Sequence, residues 1–230
     1  MKVLVACEES QAVCMAFRAR GHEAYSCDIQ EPSGGHPEWH ILGNALIAIE
    51  GGTVTTMDGK AHDVGRWDLL IAHPPCTYLT AASAERLFNP DHTVKDWPRE
   101  RRGWEARRVF LRLLSCGIER VAVENPVPLR YFAMPAYSQI IEPFMFGDPW
   151  RKRTCLWLRG LPPLKQTNVV KPLGLWVGSS SSRRDAKKKH KYELTSIRDS
   201  KRRAKTFPGI AAAMAEQWGG VMDESSLVVQ

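Results

Sequence analysis

Some features of this 230-residue sequence are defined by what it lacks. No apolar run reaches the roughly 20 residues that a membrane-crossing helix needs, so no membrane partner is expected. The six cysteines, Cys7, Cys14, Cys27, Cys76, Cys116 and Cys155, include no Cys-x-x-Cys pair. That scatter excludes a zinc knuckle and fits reduced thiols better than a disulfide framework, so no metal is expected. The opening Met1-Lys2-Val3-Leu4-Val5-Ala6 passes straight into acidic residues with no signal-type cleavage region, and a cytosolic protein is expected. Acidic residues are in the minority, 25 against 32 basic ones, giving a formal charge of +7 concentrated toward the C-terminal part. A polyanionic partner follows from that excess.

What the sequence does contain is enough apolar material, 43%, for one catalytic domain with a sizeable core and at most a small appendage. Two stretches organise it. Asp68 to Ala72 is a short apolar run, the pattern of a strand buried on both faces of a parallel sheet. It feeds His73-Pro74-Pro75-Cys76, where consecutive prolines keep the chain extended and hold Cys76 out on a stiff arm. Ligands of open α/β sheets bind at the carboxyl ends of the strands, so a thiol presented there suits a nucleophile. The second stretch is Val121-Ala122-Val123-Glu124-Asn125-Pro126, another buried strand with a carboxylate at its end. Glu124 is expected to share an edge with Cys76. A thiolate can add to a ring carbon of a pyrimidine while an acid beside it stabilises charge building on a ring nitrogen.

Pro74-Pro75-Cys76 followed by Glu124-Asn125-Pro126 resembles the DNA (cytosine-5)-methyltransferase family, in the form of a small, phage-like member. The resemblance implies a Rossmann-like α/β fold, mostly parallel with helices on both faces, and S-adenosylmethionine as cofactor. It also implies double-stranded DNA as partner, a monomer, and the cytosol of a bacterium or a phage-infected host as location.

Along the chain, Lys2–Ala6 reads as a central strand, Gln11–Arg20 as a helix ended by Gly21, and Glu23–Cys27 as a strand stopping at Asp28. A carboxylate at the end of the second strand of a β-α-β unit commonly holds ribose hydroxyls, which makes Asp28 a cofactor candidate. The family usually has a glycine-rich turn after its first strand, and Cys7-Glu8-Glu9-Ser10-Gln11 contains no glycine. The resemblance would place Glu8 or Ser10 at the methionine end of the cofactor. It would place Ile29, Asn44, His73 and Pro74 among the other cofactor contacts. Residues 30–40, rich in Pro, Gly and His, read as a loop in which His36 and His40 flank Trp39. The stretch after Tyr78 reads as a lid.

Apolar positions between Trp97 and Leu114 recur at helical spacing, and the arginines between them read as a solvated face. Tyr137–Ile141 reads as a short helical segment and Cys155–Leu158 as a strand. Arg151 and Arg153 match two family arginines, one residue apart, that contact the target base and its backbone, although the family's preceding glutamine is absent. Residues 160–205 carry prolines, a serine run, Arg183-Arg184 and Lys187-Lys188-Lys189. In the family this region holds the target-recognition segment, and those five cations would meet phosphates. The expected division is therefore a catalytic domain over 1–159 and 206–220, a basic target-recognition segment over 160–205, and a tail over 221–230.

These readings combine into an enzyme in which Cys76 adds to C6 of an extruded cytosine, Glu124 bonds N3, and C5 takes the methyl group. The rivals are an amino methyltransferase, a catalytically silent DNA-binding module on the same scaffold, and a modifier of free pyrimidine nucleotides. The first would place Asp, Asn or Ser where His73 stands. The third leaves the basic C-terminal region without a purpose.

Overall fold

A computed structural model describes residues 1–173, 175–176 and 204–220. Its centre follows from side-chain alternation in three apolar strands. In β1 (Lys2–Ala6), Leu4 and Ala6 face one core cluster, and Val3 and Val5 face a second on the other side of the sheet. Helix α1 (Ala12–Arg18) follows, then β2 (Glu23–Asp28), β3 (His40–Leu42) and the short α2 (Ala45–Ala48). A hairpin of β4 (Gly52–Thr55) and β5 (Ala61–Gly65) precedes β6 (Leu69–Ala72), whose four residues are all buried. Next come α3 (Ala84–Leu87), α4 (Trp97–Leu114) and β7 (Arg120–Pro126). The described chain ends with β8 (Gln139–Ile141), β9 (Trp150–Arg151), β10 (Thr154–Arg159), β11 (Leu175–Trp176) and α5 (Pro208–Gly219).

Seven strands form the main sheet in the order β3-β2-β1-β6-β7-β10-β8. All run parallel except β10, which is antiparallel to both β7 and β8. Phe110 and Leu113 of α4 and Ala45 and Ala48 of α2 cover one face; Phe17 of α1 and Met214 and Trp218 of α5 cover the other. This is a Rossmann-like α/β fold. From β1 the chain winds outward to β3 and then returns to the other side of β1 as β6, so a topological switch point lies between β1 and β6. That crevice is where open α/β sheets take ligands. Among the described residues, no helix is long and apolar enough to cross a membrane.

The structure departs from the sequence reading at some elements and adds detail at others. Residues 139–141 form an edge strand rather than part of a helix, because Ile140 pairs with Cys155 of β10 and Ile141 is fully buried. A three-residue strand has too few positions for its period to show in sequence. The expected lid is folded down in part: Leu79 and Leu87 are buried in the α4-side core. His36 and Trp39 stack at 3.8 Å between ring centroids, so that loop is packed by its own tryptophan. The first residues of the 160–205 segment lie against α5, where Gln217 Nε2 donates to the Lys165 carbonyl and the Trp218 indole donates to Pro162.

Candidate active site

Parallel register places the two key stretches side by side. Ala72, the last residue of β6, is opposite Val123 of β7, so His73 emerges from β6 beside Glu124, which is still within β7 and paired with Leu156 of β10. Their side chains meet, with His73 Nδ1 2.8 Å from Glu124 Oε2, and each is about nine-tenths buried. One position further on, Asn125 is buried and its Nδ2 donates to the Pro74 carbonyl at 3.3 Å. Two side-chain hydrogen bonds therefore bolt the Cys76 loop to the Glu124 segment. Cys76 itself is half-buried, and its carbonyl accepts from the amides of Leu79 and Thr80 to close a turn.

Four of the five other thiols are poor candidates for a nucleophile. Burial pushes Cys7 and Cys27 up to about 12 and Cys155 up to about 11, and it raises Cys14 as well. Thiols so raised stay protonated near neutrality.

Charge in the site is carried by a coupled group. Burial lowers the proton affinity of His73, but the Glu124 hydrogen bond and charge, together with Glu8, outweigh it and leave its pKa raised. Burial pushes Glu124 the other way, and the Lys152 ammonium with His73 more than offsets that, so its carboxyl is held below the usual range. The shared proton therefore belongs to His73, and Glu124 is the carboxylate that accepts it. Lys152 is the residue that sequence reading missed. It lies between Arg151 and Arg153, and with Glu124 it lines a small cleft walled by Phe207, just before α5, and by Ile210 and Met214 of α5. Arg151 and Arg153 are exposed instead, with the Arg151 guanidinium 5.5 Å from the Phe144 ring centroid. Side chains of an extended chain alternate in direction, so a pair one residue apart leaves the middle residue on the opposite side. That period was the available signal.

The turn after β1 makes its bend without glycine. Cys7 and Gln11 both take a left-handed backbone, φ 59°, at a cost on the order of 1 kcal/mol each. Gln11 is fully buried, and its amide offsets the strain by bonding Ser26 Oγ, the His36 carbonyl and the His36 amide. Glu8, 3% exposed, turns inward and accepts from the amides of Val13 and Cys14 at 2.6 and 3.2 Å. Burial raises its carboxyl to about 7. Two amides of the first turn of α1 are thus taken up by the protein's own carboxylate, and the Ser33 amide bonds the Glu9 carbonyl across the outside of the turn. Ser10 is half-buried beside it.

Residues at the ends of β2 and β3 remain open. Asp28 accepts from the Gln30 amide through Oδ1, and among the described residues nothing bonds its Oδ2. Ile29 next to it is 80% exposed, a bare apolar surface. Asn44 is exposed and caps α2 by accepting from the Leu46 amide, so its NH2 can still donate. A carboxylate, an apolar surface and an amide suit a ribose and a purine ring. Pro74 is buried. Lys187, Lys188, Lys189, Arg183 and Arg184 lie outside the described residues. Among the described residues no group of three or more His, Cys, Asp or Glu could hold a metal ion.

The sequence matches no protein-family model and no curated protein. Among solved structures it is similar to a candidate DNA modification methyltransferase encoded within an E. coli prophage, at 9% identity and TM-score 0.42, covering 74% of this chain and 52% of that one. It is also similar to the Entamoeba histolytica methyltransferase EhMeth, at 12% identity and TM-score 0.38, covering 74% of this chain and 57% of that one. The chain thus spans little more than half the length of these two structures.

Proposed function

We propose that this protein is a DNA methyltransferase that modifies C5 of an extruded cytosine. The observation that carries the reading is the joining of the Cys76 loop to the Glu124 segment by the His73–Glu124 and Asn125–Pro74 hydrogen bonds. Cys76 Sγ, as thiolate, bonds to C6 and moves the C5–C6 electron pair into the ring. Charge developing on N3 is met by the His73–Glu124 pair, in which His73 holds the proton and Glu124 and Lys152 fix where it sits. Bound S-adenosylmethionine would supply an electrophilic methyl group, with Asp28, Ile29 and Asn44 holding its adenosine half. Loss of the C5 proton then lets the sulfur leave with its electron pair and restores the double bond.

Two buried atoms support a base as ligand. His73 Nε2 and Asn125 Oδ1 have no hydrogen-bond partner among the described residues. An unmatched buried donor and acceptor cost roughly 1 to 3 kcal/mol each, and a base edge with a ring nitrogen beside an amino group is their complement. Both cytosine and adenine have such an edge; addition of a thiolate to ring C6 selects the pyrimidine.

A second reading, a DNA-binding module that transfers no methyl group, is favoured by Glu8, because the α1 amides it occupies are not offered to a cofactor. Bisulfite sequencing of DNA from cells producing the protein or its Cys76→Ser variant separates the two. 5-Methylcytosine with the parent and none with the variant is expected. Equal amounts in both would remove Cys76 as nucleophile, and none in either would favour the silent module.

A further inference from the structure

Helix α4 carries six arginines and two glutamates within its 18 residues. Among the described residues, none of those arginines lies within ion-pair distance of a carboxylate. Glu100 is committed elsewhere: it accepts from the Tyr131 hydroxyl at 2.5 Å and from the Trp104 indole at 3.3 Å. Asp96 and Glu105 act on Arg102 from beyond ion-pair distance, so six arginines against two glutamates leave the helix with like charges that are only partly offset, and like charges on one helix repel.

The helix is also fastened to the Cys76 loop. Arg99 Nη2 donates to the Thr77 carbonyl at 2.8 Å, and Arg102 Nη1 donates to the Tyr78 hydroxyl at 3.2 Å. Their guanidinium carbons lie 5.0 and 5.9 Å from the Tyr78 ring centroid. The tyrosine hydroxyl occupies one of the five N–H donors of Arg102, and the guanidinium remains exposed, as does that of Arg101. Trp97 and Trp104 are exposed on the same helix, 64% and 36%. Cations interleaved with aromatic rings, and fastened to the residues one and two positions after Cys76, are the chemistry that takes a phosphodiester backbone.

We propose that the arginine face of α4 beside Thr77 and Tyr78 binds the backbone of duplex DNA next to the target base. Arg101 and Arg102 contact phosphates, and Arg99 holds the loop against the helix. This rests on the proposed methyltransferase reading for its partner, and it adds a phosphate-binding surface remote in sequence from the basic run at 183–189.

The test compares the full-length protein with three variants: Arg101→Ala/Arg102→Ala, Arg101→Lys/Arg102→Lys, and Arg20→Ala/Arg66→Ala. The last removes the same charge at the opposite, amino-terminal edge of the parallel strands. Fluorescence anisotropy with a labelled duplex across a salt series is expected to show tenfold or greater weakening for the first variant. Its salt dependence should be shallower by about two units of slope, roughly one for each phosphate that is no longer neutralised. The lysine variant should recover most of the slope, and the Arg20/Arg66 variant should match the parent. Thermal unfolding checks that each variant is folded. Unchanged affinity and slope in the alanine variant overturn the proposal, as does an equal loss in the Arg20/Arg66 variant. Weakened binding to single-stranded DNA or RNA with duplex binding intact overturns the duplex assignment. Bisulfite sequencing reads the other proposal separately: a parent that binds as expected but makes no 5-methylcytosine fails the methyltransferase reading and leaves the α4 surface standing.

Discussion

His73 and Glu124 are separated by 51 residues in sequence and by 2.8 Å between Nδ1 and Oε2 in space. The pair sets the protonation of the site. His73 is held above the usual imidazole range of about 6.5, and Glu124 below the usual carboxyl range of about 4.3.

The stability that His73 contributes is fully present below its unfolded pKa and is lost as pH rises through its raised folded value. The Glu124 contribution is present above its unfolded pKa and is lost as pH falls through its lowered folded value. The pair is intact between these two folded values, and methyl transfer should decline on both sides of that window. His73→Gln keeps a donor toward Glu124 and loses the titrating proton. Its rate should fall by roughly 10² to 10⁴, and the alkaline limb of the profile should disappear. Steady-state kinetics across pH checks this, and an alkaline limb retained in the variant would assign the proton to another group.

Glu8 has the opposite consequence. Its carboxyl, raised to about 7 by burial, binds more protons folded than unfolded, so stability falls as pH rises from about 4.3 toward that value. The loss is on the order of 3 kcal/mol across the window. Glu8→Gln still accepts an α1 amide and cannot ionise, so its melting temperature should change less between pH 5 and pH 8 than that of the parent. Parallel melting curves for the two proteins would show that Glu8 does not titrate in this range.

Asp28→Ala should weaken S-adenosylmethionine binding by roughly 1 to 3 kcal/mol, the size of one charge-assisted hydrogen bond to a ribose hydroxyl. Calorimetry measures this without turnover. Unchanged affinity would move the ribose contact away from the end of β2.

Gly103 is buried in α4, and a Cβ there would lie 2.1 Å from Cζ of Phe132, a ring that is itself fully buried. Gly103→Ala should therefore destabilise the protein by roughly 1 to 3 kcal/mol through overpacking, although alanine is the better helix former. Urea unfolding reads the change. A more stable variant would mean that Phe132 has room to move.

The strands β1, β6 and β7 and the helix α4 were legible because each has enough residues for its burial pattern to show. The Trp97–Leu114 helix is found at the boundaries its spacing indicates. Pro74-Pro75-Cys76 was legible as strand-end chemistry because the apolar run of β6 stops before it. Glu124-Asn125, read as following a strand, instead lies inside β7, which continues through Pro126 by pairing with β10. The sequence by itself therefore determined the class of fold, the two segments that form the candidate site, and their shared edge of the sheet. Three-residue β8 and the glycine-free turn were not legible. A short strand is defined by its pairing with β10, and Cys7 and Gln11 hold a glycine-like backbone because tertiary bonds to Gln11 offset the strain. Tertiary structure alone decided that His73 meets Glu124, that Glu8 turns inward, that Lys152 and not its arginine neighbours shares a cleft with Glu124, and that Arg99 and Arg102 clasp the Cys76 loop. Each of these depends on the register and direction of segments far apart in the chain, and residue types and local spacing carry no record of that.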